Sequence, residues 1–133
     1  MLSYVIKFTN RIKIPQRLTN SIGVKDDKPI EHMIVLSRVL WRNGNAIVIV
    51  SGRSDECRDE TIQWLHDHIV WYHKLYMRKA GDYRPDDIVK LELLEQIKAD
   101  GFAPVMAFDD RDRVVAMWRQ QGIPCAQVAD GAF

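Results

Sequence analysis

Hydrophobic positions follow two different periods along this chain, and each change of period marks a new element. After Pro29, apolar residues recur every three to four positions until Asn43-Gly44, which predicts an amphipathic helix with a glycine stop. The run 46–50, Ala-Ile-Val-Ile-Val, is apolar throughout, as is typical of a strand buried on both faces of a parallel sheet. A second helix is predicted from Ser54, because Asp55 and Glu56 follow it as they would at a helix N-terminus.

The alternation of strand and helix continues to the last residues. Further strands are predicted at 4–6, 73–77, 105–108 and 123–128. The second helix would bury Ile62, Leu65 and Ile69, and a third helix, opened by Pro85, would bury Ile88, Leu91, Leu94 and Ile97. A fourth helix is predicted around 114–118 and ends at Gly122. Strands that alternate with helices at this spacing indicate βαβ units. The sequence therefore predicts an α/β fold with a Rossmann-like, mainly parallel sheet and helices on both faces.

Length and charge limit the classes of function. A chain of 133 residues is the size of one domain, so we expect residues 1–133 to form a single domain. The net formal charge of +1 favours neither nucleic acid nor a membrane surface as a partner, and the apolar runs are too short to cross a bilayer. Cys57 and Cys125 lack the spacing of a zinc site or a disulfide framework. We therefore expect a cytoplasmic protein with no membrane contact.

The segment 1–25 differs in charge from the rest of the chain. It contains five basic residues and no Asp or Glu, and the remaining chain is acidic overall. Two interpretations are open: a basic arm that meets phosphates, or a solvated segment around one short strand.

Polar residues follow three of the predicted strands at their carboxyl ends, where open α/β sheets bind ligands. They are Ser51-Gly52-Arg53, then Arg78, then Asp109-Asp110. A serine, two backbone amides and arginine side chains can hold phosphate oxygens, and paired carboxylates can hold a hard cation such as Mg²⁺. Taken singly, Ser-Gly-Arg also reads as a turn and Asp-Asp-Arg as a helix cap.

Two further clusters have competing interpretations. The histidines of His66-Asp67-His68, with His73 nearby, could bind a transition metal, but their spacing favours an exposed helix end. The aromatic residues Trp64, Trp71, Tyr72 and Tyr76 could stack on the bases of a single strand, or belong to the core or a partner interface.

An ordered set of motifs resembles one known family. The matching segments are 27–30, 50–53, 76–78, 81–90, 108–111, 117–119 and 127–133, among them Val-Ser-Gly-Arg, Gly-Asp-Tyr-Arg-Pro-Asp-Asp-Ile-Val-Lys and Phe-Asp-Asp-Arg. In these the chain is similar to the haloacid dehalogenase superfamily, and specifically to the 3′-phosphatase domain of phage-type polynucleotide kinases. The resemblance implies a fold of the haloacid dehalogenase type and Mg²⁺-dependent hydrolysis of phosphomonoesters. Its implied substrate is a phosphorylated nucleic-acid end or a nucleotide.

The resemblance also implies a role for each matched residue. Ser51 would bind the transferring phosphoryl group, with Gly52 and Arg53 beside it, and Lys90 would neutralise charge on the nucleophile and the phosphoryl group. Asp109 and Asp110 would ligate or orient Mg²⁺. The polar loop residues Arg78, Arg84 and Asp86 would shape the substrate pocket.

One departure from the family decides what activity we expect. The family's first strand ends in Asp-x-Asp-Gly-Thr, in which the first Asp is the nucleophile and the second is the acid and base, and the sequence contains no such motif. Aligned on Val5-Ile6, Phe8 and Asn10 stand at these two positions, and neither side chain can perform the role. Loss of a nucleophile costs about 10⁴ to 10⁶ in rate.

We therefore expect a phosphatase-like domain with strongly impaired hydrolysis, so that its status as an enzyme is open. The alternative is a non-catalytic regulatory protein that binds nucleic acid or another protein. Natural divergence, a changed reading frame or a different strand pairing would each account for the unusual first segment.

Overall fold

Strands and helices alternate along the chain as the hydrophobic pattern predicts. The structure is a computed structural model that describes residues 6–8 and 31–132. Its elements in chain order are β1 (Ile6–Phe8), α1 (Glu31–Arg42), β2 (Ile47–Ser54), a short 3-10 turn (Asp55–Cys57), α2 (Arg58–Asp67), β3 (Lys74–Arg78), α3 (Asp86–Ala99), β4 (Ala107–Asp109), α4 (Asp112–Gln120) and β5 (Cys125–Gln127). The predicted α/β class is confirmed.

All observed strand pairings are parallel. β2 is hydrogen-bonded to β1 on one side and to β3 on the other, and β4 is hydrogen-bonded to β5. β1 also lies against β4, so the spatial order is β3, β2, β1, β4, β5. This order places β1 in the middle, with the carboxyl ends of β2 and β4 on either side of its own.

β2 is the buried centre of the fold because both of its faces are covered. Ile47 and Ile49 pack with residues of α1 and α2 in one apolar cluster, whereas Val48 and Val50 pack with α3 in another. All four residues are at most 1% exposed. This burial explains the unbroken apolar run in the sequence and confirms helices on both faces of the sheet.

Two predicted helix faces were partly wrong. Ile62 on α2 is exposed, and so is Ile69, which follows the helix. The buried side of α2 carries Thr61, Trp64 and Leu65. On α3, Ile88 is exposed, and the buried side carries Val89, Lys90, Leu93, Leu94 and Ile97. A polar side chain with internal partners can occupy a core-facing position, which a count of apolar residues overlooks.

Several boundaries also differ from the predictions. β2 continues to Ser54, and the segment after it begins with the 3-10 turn before α2 starts. The strands predicted at 105–108 and 123–128 are observed as β4 and β5, both shorter. Of the first strand, Ile6 is observed in β1, while Tyr4 and Val5 lie outside the described residues, as does the basic segment 1–25 apart from β1. None of the described helices is long and apolar enough to span a membrane.

Candidate functional site

The carboxyl ends of β1, β2 and β4 meet at one edge of the sheet. Phe8 is the last residue of β1 and pairs with Ile49, two residues before Ser51 on β2. Asp109 is the last residue of β4, on the other side of β1. The chain therefore brings the polar residues after β2 and β4 to the two sides of the strand end that carries Phe8.

A bulge in β2 forms the first wall of the site. Ser51 pairs with Met77 and Ser54 pairs with Arg78, so Gly52 and Arg53 are extra residues relative to β3. A bulge of this kind bends the strand and redirects its backbone groups. The buried Ser51 Oγ accepts a hydrogen bond from the backbone N–H of Arg53 at 3.2 Å, and its own O–H remains able to donate.

Gly52 is required by the side chain that packs on it. A Cβ atom at this position would overlap the Asp86 carboxylate. The backbone carbonyl of Gly52 accepts a hydrogen bond from Arg78 Nε at 2.7 Å. Gly52 thus holds the bulge directly against the start of α3.

Asp86 and Lys90 form an ion pair one helical turn apart on α3. Lys90 Nζ lies 3.0 Å from Asp86 Oδ2 and 3.8 Å from Asp109 Oδ2, which connects α3 to the end of β4. Lys90 is 3% exposed and Asp86 9%. A lysine is buried this deeply only when carboxylates compensate its charge. Its ammonium group is thereby fixed at the sheet edge.

Asp109 is fully buried, and donors bind both of its carboxylate oxygens. Oδ1 accepts hydrogen bonds from the backbone N–H groups of Asp110 at 2.8 Å and Arg111 at 3.4 Å, and Oδ2 accepts one from Trp118 Nε1 at 3.1 Å. Asp109 therefore closes the turn between β4 and α4. Asp110 is also buried, and its backbone packs closely against Gly131. A Cβ atom at position 131 would overlap the Asp110 carbonyl group.

Arg78 connects three elements through its guanidinium group. Nε binds the carbonyl of Gly52, Nη1 donates to the carbonyls of Asp82 at 3.0 Å and Arg84 at 2.6 Å, and Nη2 lies 3.5 Å from Asp86 Oδ1. The predicted pocket residues Arg78 and Asp86 are thus brought together with Ser51, Gly52 and Lys90.

Arg84 joins this assembly only through its backbone carbonyl, and its side chain lies apart. Its guanidinium group binds the carboxylates of Asp82 at 2.7 Å and Glu92 at 2.5 Å on the protein surface. The hydrogen bonds from Arg84 lower the pKa of Asp82 to about 2 and also lower the pKa of Glu92. In this arrangement Arg84 fixes the loop between β3 and α3.

Sequence reasoning overlooked two contacts of the site. Arg111 Nη1 lies 3.7 Å from Asp86 Oδ2, and the indole N–H of Trp118 binds Asp109. In the sequence, Trp118 belongs to the predicted helix around 114–118, and its apolar neighbours do not indicate this contact. The signal available in the sequence is that a buried Trp needs an acceptor for its N–H, and a buried Asp nearby supplies one.

The fit to Mg²⁺ is incomplete among the described residues. No group of three or more His, Cys, Asp or Glu residues that could hold a metal occurs in 31–132. Asp109 and Asp110 stand side by side, but Asp109 already accepts hydrogen bonds at both oxygens, and Asp86 faces Lys90. Mg²⁺ demands near-octahedral oxygen ligation, which these groups do not supply by themselves.

The fold places the members of the two alternative clusters in different surroundings. His66 is exposed at the end of α2, whereas the His68 ring stacks on Trp64 with centroids 4.0 Å apart. Trp64 and Tyr76 are buried, and Trp71 is half-exposed.

Comparisons with known proteins agree with this geometry. Residues 14–133 match the model of a family described as the polynucleotide kinase PNKP phosphatase domain. A relative from Autographa californica nuclear polyhedrosis virus, named "Putative bifunctional polynucleotide kinase/RNA ligase", is 35% identical over 79 residues, which make up 59% of this chain and 11% of the relative.

Two solved structures share the fold over nearly the whole chain. One is of the Pnkp1/Rnl/Hen1 RNA repair complex and the other of the Pnkp1/Rnl/Hen1 complex. Each aligns with a TM-score of 0.87 and 25% sequence identity over 98% of this chain, which corresponds to 43% and 46% of the respective matched chains. The chain thus spans less than half the length of the proteins it matches.

Proposed function

This chain belongs to the family of polynucleotide kinase PNKP phosphatase domains, and from that membership we propose that it binds a phosphorylated nucleic-acid end or nucleotide with strongly impaired hydrolysis. The phosphate would lie at the sheet edge between Ser51 and Lys90. We further propose that residues 1–133 act as one phosphatase-like domain. Its setting would be cytoplasmic, in keeping with the two buried thiols, Cys57 and Cys125.

The position of Phe8 carries the proposal of impaired hydrolysis. β1 lies between β2 and β4, so the end of β1 is the strand end nearest to both Ser51 and Asp109. The family resemblance puts the nucleophilic Asp at this strand end. Phenylalanine offers no oxygen to attack phosphorus, and no other described strand occupies the slot between β2 and β4. Asn10, aligned with the acid and base, lies outside the described residues.

The remaining groups support binding of the phosphoryl group. The Ser51 hydroxyl can donate a hydrogen bond, and the Lys90 ammonium is held in place by Asp86 and Asp109. None of these groups depends on a carboxylate at the end of β1. Fixed donors of this kind stabilise phosphate charge without rearrangement.

The role of Mg²⁺ remains a prediction. Asp109 and Asp110 are the carboxylates available to it, and with two of them we expect weak binding. Isothermal titration calorimetry that detects tight stoichiometric Mg²⁺ binding without substrate would contradict this expectation.

Binding and turnover of two matched oligonucleotides test the proposal. One ends in a 3′-phosphate and the other, of the same sequence, in a 3′-hydroxyl. We expect tighter binding of the phosphorylated strand and negligible phosphate release with Mg²⁺ over hours. Equal affinity for both strands would refute the phosphate site. Rapid phosphate release would refute impaired hydrolysis.

The second candidate function shares the binding step and lacks turnover altogether. It is a non-catalytic regulatory protein that holds nucleic acid or a protein partner. The matched structures are of multi-protein RNA repair complexes, which supports the proposal that this chain also works beside other proteins. A phosphorylated strand that binds without any detectable hydrolysis, even at high enzyme concentration, would favour this candidate.

A further inference from the structure

A cluster of aromatic rings and an arginine lies at the opposite end of β2 from the candidate site. The Arg42 guanidinium stands over the Trp71 ring, 5.5 Å from its centroid. Trp41 lies beside Trp71 with ring centroids 6.2 Å apart, and His73 lies 4.5 Å from the Trp41 ring. Arg42 is exposed and Trp71 half-exposed, so the cluster reaches the surface.

Hydrogen bonds fix this cluster to the start of β2. Ile47, the first residue of β2, donates its N–H to His73 Nδ1 at 3.0 Å and accepts the His73 N–H at 2.7 Å. The loop before Trp71 is held by Arg38, which donates to the carbonyls of His68 and Ile69. A surface fixed in advance loses little conformational entropy when a ligand binds.

The chain segments that build this end of the molecule are basic. Segments 32–50 and 68–77, which build this end, contain no Asp or Glu and carry the basic residues Arg38, Arg42 and Lys74. Asp100 reaches this region, where its carboxylate pairs with Lys74 at 2.7 Å. A polyanion would therefore meet positive charge around the cluster, whereas most of the remaining described chain is acidic.

We propose that Arg42 and Trp71 form a stacking platform for one base of a single-stranded nucleic acid, outside the phosphate site. An arginine plane and a tryptophan ring both stack on bases regardless of sequence, and a basic surround attracts the phosphate backbone. Ser51 comes four positions after Ile47 on β2, a distance of about 13 Å along the strand. The platform would therefore hold a nucleotide away from the phosphorylated end. The inference extends the proposed function, since it assumes a nucleic-acid ligand.

The test uses fluorescence anisotropy with a labelled oligouridylate that ends in a 3′-hydroxyl, so that no terminal phosphate contributes. Trp71→Leu keeps an apolar side chain but removes the ring, and we expect it to weaken binding by about 5-fold to 100-fold. Trp71→Phe should bind within about 3-fold of the unchanged protein, because a ring is retained. Arg42→Gln should weaken binding and reduce the slope of log K against log salt by about 0.7.

Lys98→Gln serves as the matched charge control. Lys98 is an exposed residue of α3, which covers the other face of the sheet from α1, and its removal should change affinity less than 2-fold. Wild-type affinity in both Trp71→Leu and Arg42→Gln would overturn the platform, and so would the absence of binding by the unchanged protein. If Trp71 instead contacts a protein partner, the oligouridylate would likewise show either unchanged affinity in both variants or no binding at all. Failure of the phosphate site would appear separately, as equal affinity for 3′-phosphate and 3′-hydroxyl strands.

Discussion

At the scale of single residues, the contact between Gly52 and Asp86 fixes the shape of the β2 bulge. Gly52→Ala would force the new Cβ into the Asp86 carboxylate, so we expect the free energy of unfolding to fall by about 1–3 kcal/mol. Urea denaturation measures this loss. A double-mutant cycle with Asp86→Ala should be strongly non-additive, because the second change removes the clashing group. Additive effects would show that the two residues do not touch.

Lys90 is the residue whose charge the site most depends on. Lys90→Met removes the cation nearest to Asp86 and one of the cations beside Asp109. We therefore expect the free energy of unfolding to fall by about 3 kcal/mol. Lys98→Met, an exposed lysine on the same helix, should change stability by less than about 0.5 kcal/mol. Equal effects of the two substitutions in chemical denaturation would contradict the buried ion pair.

The sequence identified the residues of this site unevenly. Ser51 and Asp109 could be found because they follow buried strands, and parallel strands present their carboxyl ends at one edge. Lys90 has no such signal: it lies inside a helix and came only from the family resemblance. Its partner Asp86 lies one turn earlier on the same face of α3, but only the folded chain shows that this face is buried.

At the scale of secondary structure, α2 ends in a strained turn. Ile69 follows the helix with a φ of +53°, and the bonds from Ile69 N to His66 O and from Val70 N to Leu65 O form the pattern that normally has glycine at this position. Ile69→Gly should therefore raise the unfolding free energy by about 1 kcal/mol, since the side chain is half-exposed and little burial is lost. Thermal denaturation would show a rise of a few degrees. A lowered melting temperature would mean that the Ile69 side chain contributes more than the strain costs.

The loop between β3 and α3 predicts a dependence on pH. Arg84 lowers the pKa of Asp82 from 3.8 to about 2. The stabilisation from this pair is therefore complete above pH 3.8 and is lost as the pH falls toward 2. In Arg84→Gln, NMR titration should show the pKa of Asp82 rising back toward 3.8, whereas Lys98→Gln should leave it unchanged. An Asp82 pKa that stays near 2 without Arg84 would refute this cause.

Helices and strands could be predicted more securely than their limits. β2 was evident because its first four residues are apolar and β-branched, as is typical of a short strand covered on both faces. Its extension to Ser54 could not be predicted, because the last pairing depends on a bulge against β3 that lies in a distant part of the sequence. Likewise, Ile62 fitted the apolar period of α2 but faces solvent, because Trp64 and Leu65 already fill the space beneath the helix.

At the scale of the whole molecule, the order of the strands determines the chemistry. Hydrophobic patterns indicate a parallel sheet, but they do not place β1 between β2 and β4, since that arrangement depends on contacts between residues far apart in the sequence. The structure supplies this order for 6–8, and with it the position of Phe8 at the shared edge. The missing Asp-x-Asp-Gly-Thr motif therefore concerns one place in the fold, the strand end at Phe8.

Restoring the two carboxylates tests the central claim most directly. The double variant Phe8→Asp with Asn10→Asp should gain Mg²⁺-dependent phosphatase activity of about 10³-fold or more over the unchanged chain. The matched variant Phe8→Asn with Asn10→Asp supplies a side chain of the same size that cannot act as a nucleophile, and it should remain inactive. Activity is measured as phosphate released from a 3′-phosphorylated oligonucleotide. If the double variant folds and binds that strand yet releases no phosphate above the Asn variant, β1 does not hold the catalytic position, and the account is wrong.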